Sequence, residues 1–242
     1  MSAAERGAPL LRVEGLSAGY GEMLALREIS LEVFRSEIVA LVGSNGAGKT
    51  TLLRALSRVV ASSGTVEFAG RSLAALTSDE VFGLGLVQVP EGRQLFDRMT
   101  VRDNLLMGAY RRDDQAQIVR DLDRMYAIFP VLQERTGQLA GSMSGGEQQM
   151  CAVARALMAA PRLIMVDEMS LGLAPVVAQQ LMEVLATIRD EGVTVLLVEQ
   201  DVQLALSSSD RAYVLETGQV VLAGSADALS GDPAVQQAYL GL

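Results

Sequence analysis

One stretch constrains this chain more than any other. Gly43-Ser-Asn-Gly-Ala-Gly-Lys-Thr50 follows the short apolar run Glu37-Ile-Val-Ala-Leu-Val42 and precedes helical spacing over Thr50–Val60. A continuous apolar run reads as a parallel strand covered on both faces, so strand, glycine-rich turn and helix in this order predict an open α/β sheet. The eight residues match the G-x-x-x-x-G-K-[ST] pattern in full. Its glycines let successive backbone N–H groups, with the helix N-terminus behind them, point at one anion. Gly43, Ser44, Asn45, Gly46, Ala47, Gly48, Lys49, Thr50 and the adjoining Thr51 are therefore expected to cradle phosphates. Lys49 would act as a point charge on the β- and γ-phosphates, and the Thr50 hydroxyl as a magnesium ligand. The plain alternative is a glycine-rich surface turn before a helix.

The rest of the chain is patterned to match. Residues 10–36 alternate apolar and polar (Leu11, Val13, then Ile29, Leu31, Val33), as in an antiparallel sheet with one wet face. Gly64–Gly70 reads as a strand between turns. Over 100–160 strand signals vanish, and Thr100–Tyr110, Asp113–Phe129 and Gly146–Ala160 carry helical patterns broken at Pro130 and Gly141–Gly146. Strand and helix then alternate through Leu163–Val166, Val176–Arg189, Thr194–Val198 and Val202–Ser207. A hairpin, Tyr213–Leu215 and Val220–Leu222 about Thr217-Gly218, closes the chain. The expected architecture is α/β: a parallel-sheet core, an N-terminal antiparallel β subdomain and an inserted helical subdomain. A single domain over 1–242 is expected, with about 10–90 and 160–242 forming the core and β subdomain and about 91–159 the helical part.

Composition narrows the chemistry. The 242 residues are 50% hydrophobic and 20% charged, a globular balance. A net charge of −9 argues against broad binding to nucleic acid or anionic lipid. No apolar run approaches the roughly 20 residues that span a bilayer. The start, Met1–Pro9, lacks a basic segment leading into an apolar one, so export is not expected. A single cysteine, Cys151, cannot form an internal bridge, fits a reducing compartment and reads as a packing residue. Histidine is absent, which removes it as base, proton switch or metal ligand and makes a zinc site or a histidine-based triad improbable. Lys49 is the one lysine among 20 basic residues. The chain reads as cytosolic.

Two further stretches carry chemistry. Leu163-Ile-Met-Val-Asp-Glu168 is a buried strand whose C-terminal end, where open α/β sheets bind ligands, bears two carboxylates. Asp167 can hold the magnesium shell and Glu168 can orient and polarise an attacking water; alone, such a strand end is often structural. Ser144-Gly-Gly-Glu-Gln-Gln-Met150 opens a helix with free N–H groups and a hydroxyl, a second anion-receptive end. Ser144 with Glu147 is equally a capping box, and the two readings are compatible.

Phosphate loop, Ser-Gly-Gly-Glu-Gln signature before an Arg155-bearing helix, and Asp-Glu strand stand in the order seen in ATP-binding cassette ATPases. The chain resembles that family along essentially its whole length. Val89-Pro-Glu-Gly-Arg-Gln-Leu-Phe96, Ser144–Met150, Ser170-Leu-Gly-Leu-Ala-Pro175 and Leu197-Val-Glu-Gln200 are similar to one branch, the LivF-type ATPases of bacterial importers for branched-chain amino acids. Urea and short-amide importers are a close second. The resemblance implies ATP and Mg2+ as cofactors and hydrolysis coupled to transport. It also implies two such domains head to tail, each ATP lying between one phosphate loop and the other subunit's signature, so that Ser144, Gly145 and Gly146 serve the partner's nucleotide.

By the same resemblance Tyr20, in Ala18-Gly-Tyr-Gly21, matches the aromatic that stacks on adenine, its alternative being a strand-edge tyrosine. Two transmembrane permease subunits, an extracytoplasmic binding protein acting indirectly, and a peripheral place on the cytoplasmic face of the inner (plasma) membrane are implied; nucleic acid is not. Docking would use about residues 90–140, where Leu95, Phe96 and Met99 serve equally well as core. Soluble cassette ATPases acting on DNA or ribosomes, and exporter subunits, are the competing classes.

The chain departs from the family at several positions. Glu91 stands where the family glutamine senses the γ-phosphate, with Gln88 a nearby, misregistered alternative; Glu91 could still hold magnesium or a water. Gln200 replaces the switch histidine; it can hydrogen-bond a phosphate oxygen but carries no proton's charge. The expectation is a weaker site of its own, completed by a second, histidine-bearing ATPase. Met169 replaces the usual proline, which frees Glu168 from the pre-proline restriction and loosens the turn; Leu173 stands where many relatives carry aspartate.

Overall fold

The computed structural model describes residues 7–236; Met1–Arg6, within the segment used to argue against export, and the last six residues lie outside it. Two sheets organise the chain. Strands β1 (Leu11–Tyr20) and β2 (Met23–Val33) form a hairpin around Gly21-Glu22. With β4 (Ser62–Phe68) and the two-residue β5 (Arg71–Ser72) they make an antiparallel sheet in the order β2-β1-β4-β5. Alternate residues of β1 (Leu11, Val13) are buried and their neighbours exposed, the half-wet pattern expected of such a sheet.

The second sheet runs β10-β9-β3-β8-β7-β6: β10 (Gln219–Ser225), β9 (Arg211–Glu216), β3 (Ile38–Val42), β8 (Thr194–Glu199), β7 (Leu163–Asp167) and β6 (Leu86–Val89). All neighbours are parallel except β10, which returns from β9 through Thr217-Gly218, both at positive φ as a tight hairpin turn requires. Strands β3, β7 and β8 are buried at every residue. The side chains of β7 and β8 feed two cores in alternation: Ile164, Val166, Val195 and Leu197 face the helical side, whereas Leu163, Met165, Leu196 and Val198 face the β1–β2 side; Ala40 and Val42 of β3 join a third, smaller core with α8 and α9. A period of two thus fixes both cores at once.

Helices α1 (Lys49–Leu56) and α2 (Ser78–Gly83) precede β6, and α3 (Val101–Gly108), α4 (Gln115–Ile128), α5 (Pro130–Glu134) and α6 (Gly145–Leu157) lie between β6 and β7. The remainder, α7 (Pro175–Asp190), α8 (Val202–Ser207), α9 (Ala226–Ser230) and α10 (Pro233–Val235), cover the sheet and the end of the described chain. Asn104, fully buried, bonds Phe96 N–H, Phe96 O and Thr100 O and so fixes the entry into α3. Helices α3 and α6 cross closely: a Cβ on Gly108 would collide with the Arg155 carbonyl. Sequence reasoning passed over α2 and β6, and carried α1 to Val60 where Ser57 already ends it. No helix among the described residues is long and apolar enough to cross a membrane.

Candidate functional site

The C-terminal ends of β3, β7 and β8 meet where the chain leaves each strand. After β3 the backbone turns through Gly43–Gly48 into α1. Gly48 sits at φ 109 with Ala25 O and the Leu26 side chain 3.0 and 2.7 Å from where a Cβ would lie, so only glycine fits. Lys49, 4% exposed, folds back over this turn and donates to Gly43 O (2.8 Å) and Ser44 O (3.2 Å). Its Nζ also lies 3.2 Å from Glu168 Oε1, an ion pair that is almost fully buried.

Asp167, at the end of β7, accepts from the Thr50 hydroxyl through Oδ1 at 3.4 Å. Its other oxygen, Oδ2, is buried without a hydrogen-bond partner. Burial pushes the Asp167 carboxyl up to about 6; the charges of Glu168 and Glu91 add to the rise, while the Thr50 bond and Lys49 oppose it. A buried, unpartnered carboxylate oxygen beside a hydroxyl is a hard-oxygen pair suited to a divalent cation. Glu168 adopts φ 45 and donates its N–H to Val198 O at 2.8 Å. The strand therefore ends in a left-handed residue that aims the carboxylate at the turn.

A cleft of about 350 Å³ collects most of the expected residues: Asn45, Gly46, Gly48, Lys49, Thr50, Thr51, Glu91, Glu168 and Gln200 all line it. Gly43 and Ser44 contribute through the carbonyls that hold Lys49, and Ala47 is buried behind the turn. A neighbouring cleft of about 470 Å³ joins Asp167, Thr50 and Glu91 with Arg54 and Gln88. There the Gln88 side-chain carbonyl is taken by the Ser57 hydroxyl at 2.9 Å. Tyr20, half exposed, stands off these clefts, its hydroxyl accepting from Arg54 at 3.2 Å; bonds from Thr51 and Arg54 hold its phenol below the ordinary value.

The signature residues do not join this cleft. Ser144 caps α6, with Glu147 Oε2 accepting from Ser144 N–H at 2.8 Å and Ser144 Oγ accepting from Glu147 N–H at 3.4 Å, a complete capping box. Gly145 and Gly146 form the first turn beside it, and the Arg93 guanidinium packs against Gly145 while bonding Gln148. Arg155 donates to Arg93 O and lies over the Phe96 ring, which is itself 47% exposed. Leu95 packs partly on the helical-side core. Cys151 is buried and its thiol is pushed up to about 11 by burial, the state of an inert packing residue.

The turn after Glu168 is well held despite Met169. Met169 is buried, Leu171 N–H donates to Glu168 O, and Ser170 bonds Glu199 twice, so the loosening expected from the missing proline is not what the fold contains. Glu199 and Ser170 were not singled out by sequence reasoning: each lies inside a quoted motif, but pairing across 29 positions leaves no local signal.

Comparison with known proteins bears on the family and the fold. The profile of the ABC transporter family matches residues 26–170, more than half of the chain. The chain is 47% identical over 234 residues to the high-affinity branched-chain amino acid transport ATP-binding protein BraG of Pseudomonas aeruginosa, covering 96% of this chain and 100% of that one. It is 36% identical over 222 residues to the probable branched-chain amino acid transport ATP-binding protein LivF of Archaeoglobus fulgidus, covering 91% and 94%. A solved nucleotide-free ATP-binding cassette from an ABC transporter superposes with a TM-score of 0.84 at 25% identity, covering 97% of this chain and 100% of that one.

Proposed function

The chain belongs to the ABC transporter family as an ATP-binding, ATP-hydrolysing cassette, and on that premise we propose that it powers a bacterial importer for branched-chain amino acids. The observation that carries the chemistry is the buried Lys49–Glu168 ion pair beside Asp167, whose Oδ2 lacks a partner. The near full-length likeness to BraG supports the substrate class.

In this reading the N–H groups of Gly46–Thr50 and the α1 N-terminus hold the phosphate oxygens. Lys49 leaves Gly43 O, Ser44 O and Glu168 for the β- and γ-phosphates, which frees the Glu168 carboxylate to orient and polarise the attacking water. Thr50 and Asp167 would hold magnesium, with Glu91 facing the same place from the turn after β6. Bound magnesium supplies charge neutralisation at the phosphates and at Asp167. Gln200 donates to a γ-phosphate oxygen, and Tyr20 stacks on the adenine. Ser144, Gly145 and Gly146 reach the nucleotide of a second ATPase.

That second ATPase is a different, histidine-bearing chain, because Gln200 cannot carry a proton's charge and this sequence holds no histidine. Two transmembrane permease subunits dock on the helical part, about residues 90–140, and an extracytoplasmic binding protein delivers the substrate. The protein sits peripherally on the cytoplasmic face of the inner membrane. ATP-driven closure of the pair shifts the permeases between two orientations by differential binding.

Purification of Glu168→Gln from native membranes with ATP tests this. Two membrane subunits and a histidine-bearing ATPase are expected with it, and the associated binding protein should bind leucine, isoleucine or valine. A soluble homodimer or ribosomes would keep the ATP chemistry and overturn the transport role; a binding protein selective for urea would overturn the substrate.

A further inference from the structure

The end of β8 carries a carboxylate that none of the steps above uses. Glu199 is 1% exposed, and a buried carboxylate is costly unless its oxygens find donors. Ser170 supplies one to each: its backbone N–H donates to Oε1 at 3.0 Å and its hydroxyl to Oε2 at 2.7 Å, and the Gln200 backbone N–H adds to them. Ser170 lies two residues beyond Glu168, and Glu199 immediately precedes Gln200. Glu199 is also in register with Val42, the last residue of β3 before the phosphate loop. Beyond Gln200, Asp201 fixes the start of α8 by accepting from Leu204 N–H at 2.9 Å.

This carboxylate is thus spent on a serine rather than on a cation. An apolar side chain of similar volume would fill the same place without the cost of desolvation, so packing alone does not account for it. What the two bonds do is join the loop after Glu168 to the strand end that carries Gln200.

We propose that Glu199 is a positioning residue: through Ser170 it holds the backbone after Glu168 against the end of β8 and so fixes the placement of the base relative to Gln200. The proposal rests on the reading of Glu168 as the base. Its effect is greatest after Lys49 has turned to the phosphates. Glu168 then loses its ion-pair partner, and its placement depends on its own N–H bond to Val198 O, on the Leu171 N–H bond to its carbonyl and on the Ser170–Glu199 latch. A latch that acts at this stage changes turnover and leaves nucleotide capture alone.

Steady-state ATP hydrolysis by the purified transport complex tests this with Ser170→Ala, Glu199→Ala, their double variant and Glu199→Gln. Glu199→Ala should lower kcat about ten-fold and Ser170→Ala, which keeps the N–H bond, about three-fold, with KM for ATP changed less than about two-fold in each. The double variant should fall no further than Glu199→Ala, because the hydroxyl bond that Ser170→Ala removes is one of the two that Glu199→Ala removes together. Glu199→Gln should recover most of the loss, since its carbonyl still accepts from Ser170 N–H while its amide donates to the hydroxyl oxygen. Ser170 is half-buried and loses only a hydroxyl, so that variant carries the test if Glu199→Ala does not fold. An unchanged kcat in Ser170→Ala, losses that multiply in the double variant, or a rise in KM alone would overturn the latch. An inactive wild-type complex would instead overturn the ATPase reading and the latch with it.

Discussion

The chain has two anion-receptive ends, and they are kept in different ways. At the phosphate loop the receptive group is a cation, Lys49, buried and held by Glu168 and two carbonyls. At the signature it is a set of helix N–H groups, closed by the exposed capping box of Ser144 and Glu147. Each end is satisfied by a stand-in of its own chain, but the stand-ins differ in cost. Displacing Glu168 from Lys49 exchanges one buried ion pair for another, so it needs an anion of comparable charge in the cleft. Displacing a cap exchanges hydrogen bonds at the surface, where water can serve in between. On the proposed reading the phosphate loop is selective by itself, whereas the signature becomes selective only when a second subunit brings phosphates to it.

Glu168→Gln puts the greatest strain on this contrast. Hydrolysis should fall by a factor of at least about 100, as for loss of a general base. ATP affinity should hold or rise, because Lys49 no longer has a carboxylate to leave; weaker ATP binding in an equilibrium titration would mean that the ion pair does not compete with phosphate. Lys49→Ala should abolish ATP binding and cost about 3 kcal/mol of stability by stranding the Glu168 charge. Chemical denaturation would measure that cost, and a neutral result would show the pair to be weakly held.

Asp167 gives a pH dependence of intermediate size. Its carboxyl rises from 3.8 to about 6 in the fold, so the fold disfavours the ionised form. That group's contribution is best below 3.8, where it is protonated in folded and unfolded chains alike. It worsens as pH rises toward about 6 and is constant above. Magnesium needs the ionised form, so its apparent affinity should weaken about ten-fold per pH unit below that value. Magnesium titrations of the ATP complex at pH 7 and pH 5 would detect this, and equal affinities would remove Asp167 from the ligand set. The smallest effect belongs to the other end. Ser144→Ala should cost about 1 kcal/mol as a lost cap and lower turnover of the assembled pair, while ATP binding by the isolated chain stays unchanged. Loss of that binding would abolish the distinction between the ends.

The sequence was most readable where a feature is local. Gly43–Thr50 with its flanking strand and helix, the Asp167-Glu168 strand end, and the alternating β1–β2 hairpin are each complete within a short window. Strand β6 was missed because Leu86–Val89 is four residues long, too short for its period to show, and its Gln88 breaks the apolar run. Helix α2 did carry a signal: Thr77-Ser-Asp-Glu80 is a capping box in the sequence as in the structure. The Ser170–Glu199 latch and the Lys49–Glu168 pair had none, because each depends on strand order in the sheet, and β3, β8 and β7 are neighbours only after folding.

Lys49 being the one lysine gives the protein a built-in reporter. Reagents that acylate primary amines find a single side-chain target in the chain, and that target lies in the nucleotide cleft, shielded and engaged by a carboxylate. On the proposed reading its labelling rate should follow the state of the cleft: slow while Glu168 holds the ammonium, and slower still once phosphate claims it. A surface populated by arginine adds no side-chain background to that signal, so once the α-amino label is separated by peptide mapping, the opening of one buried ion pair can be followed by mass.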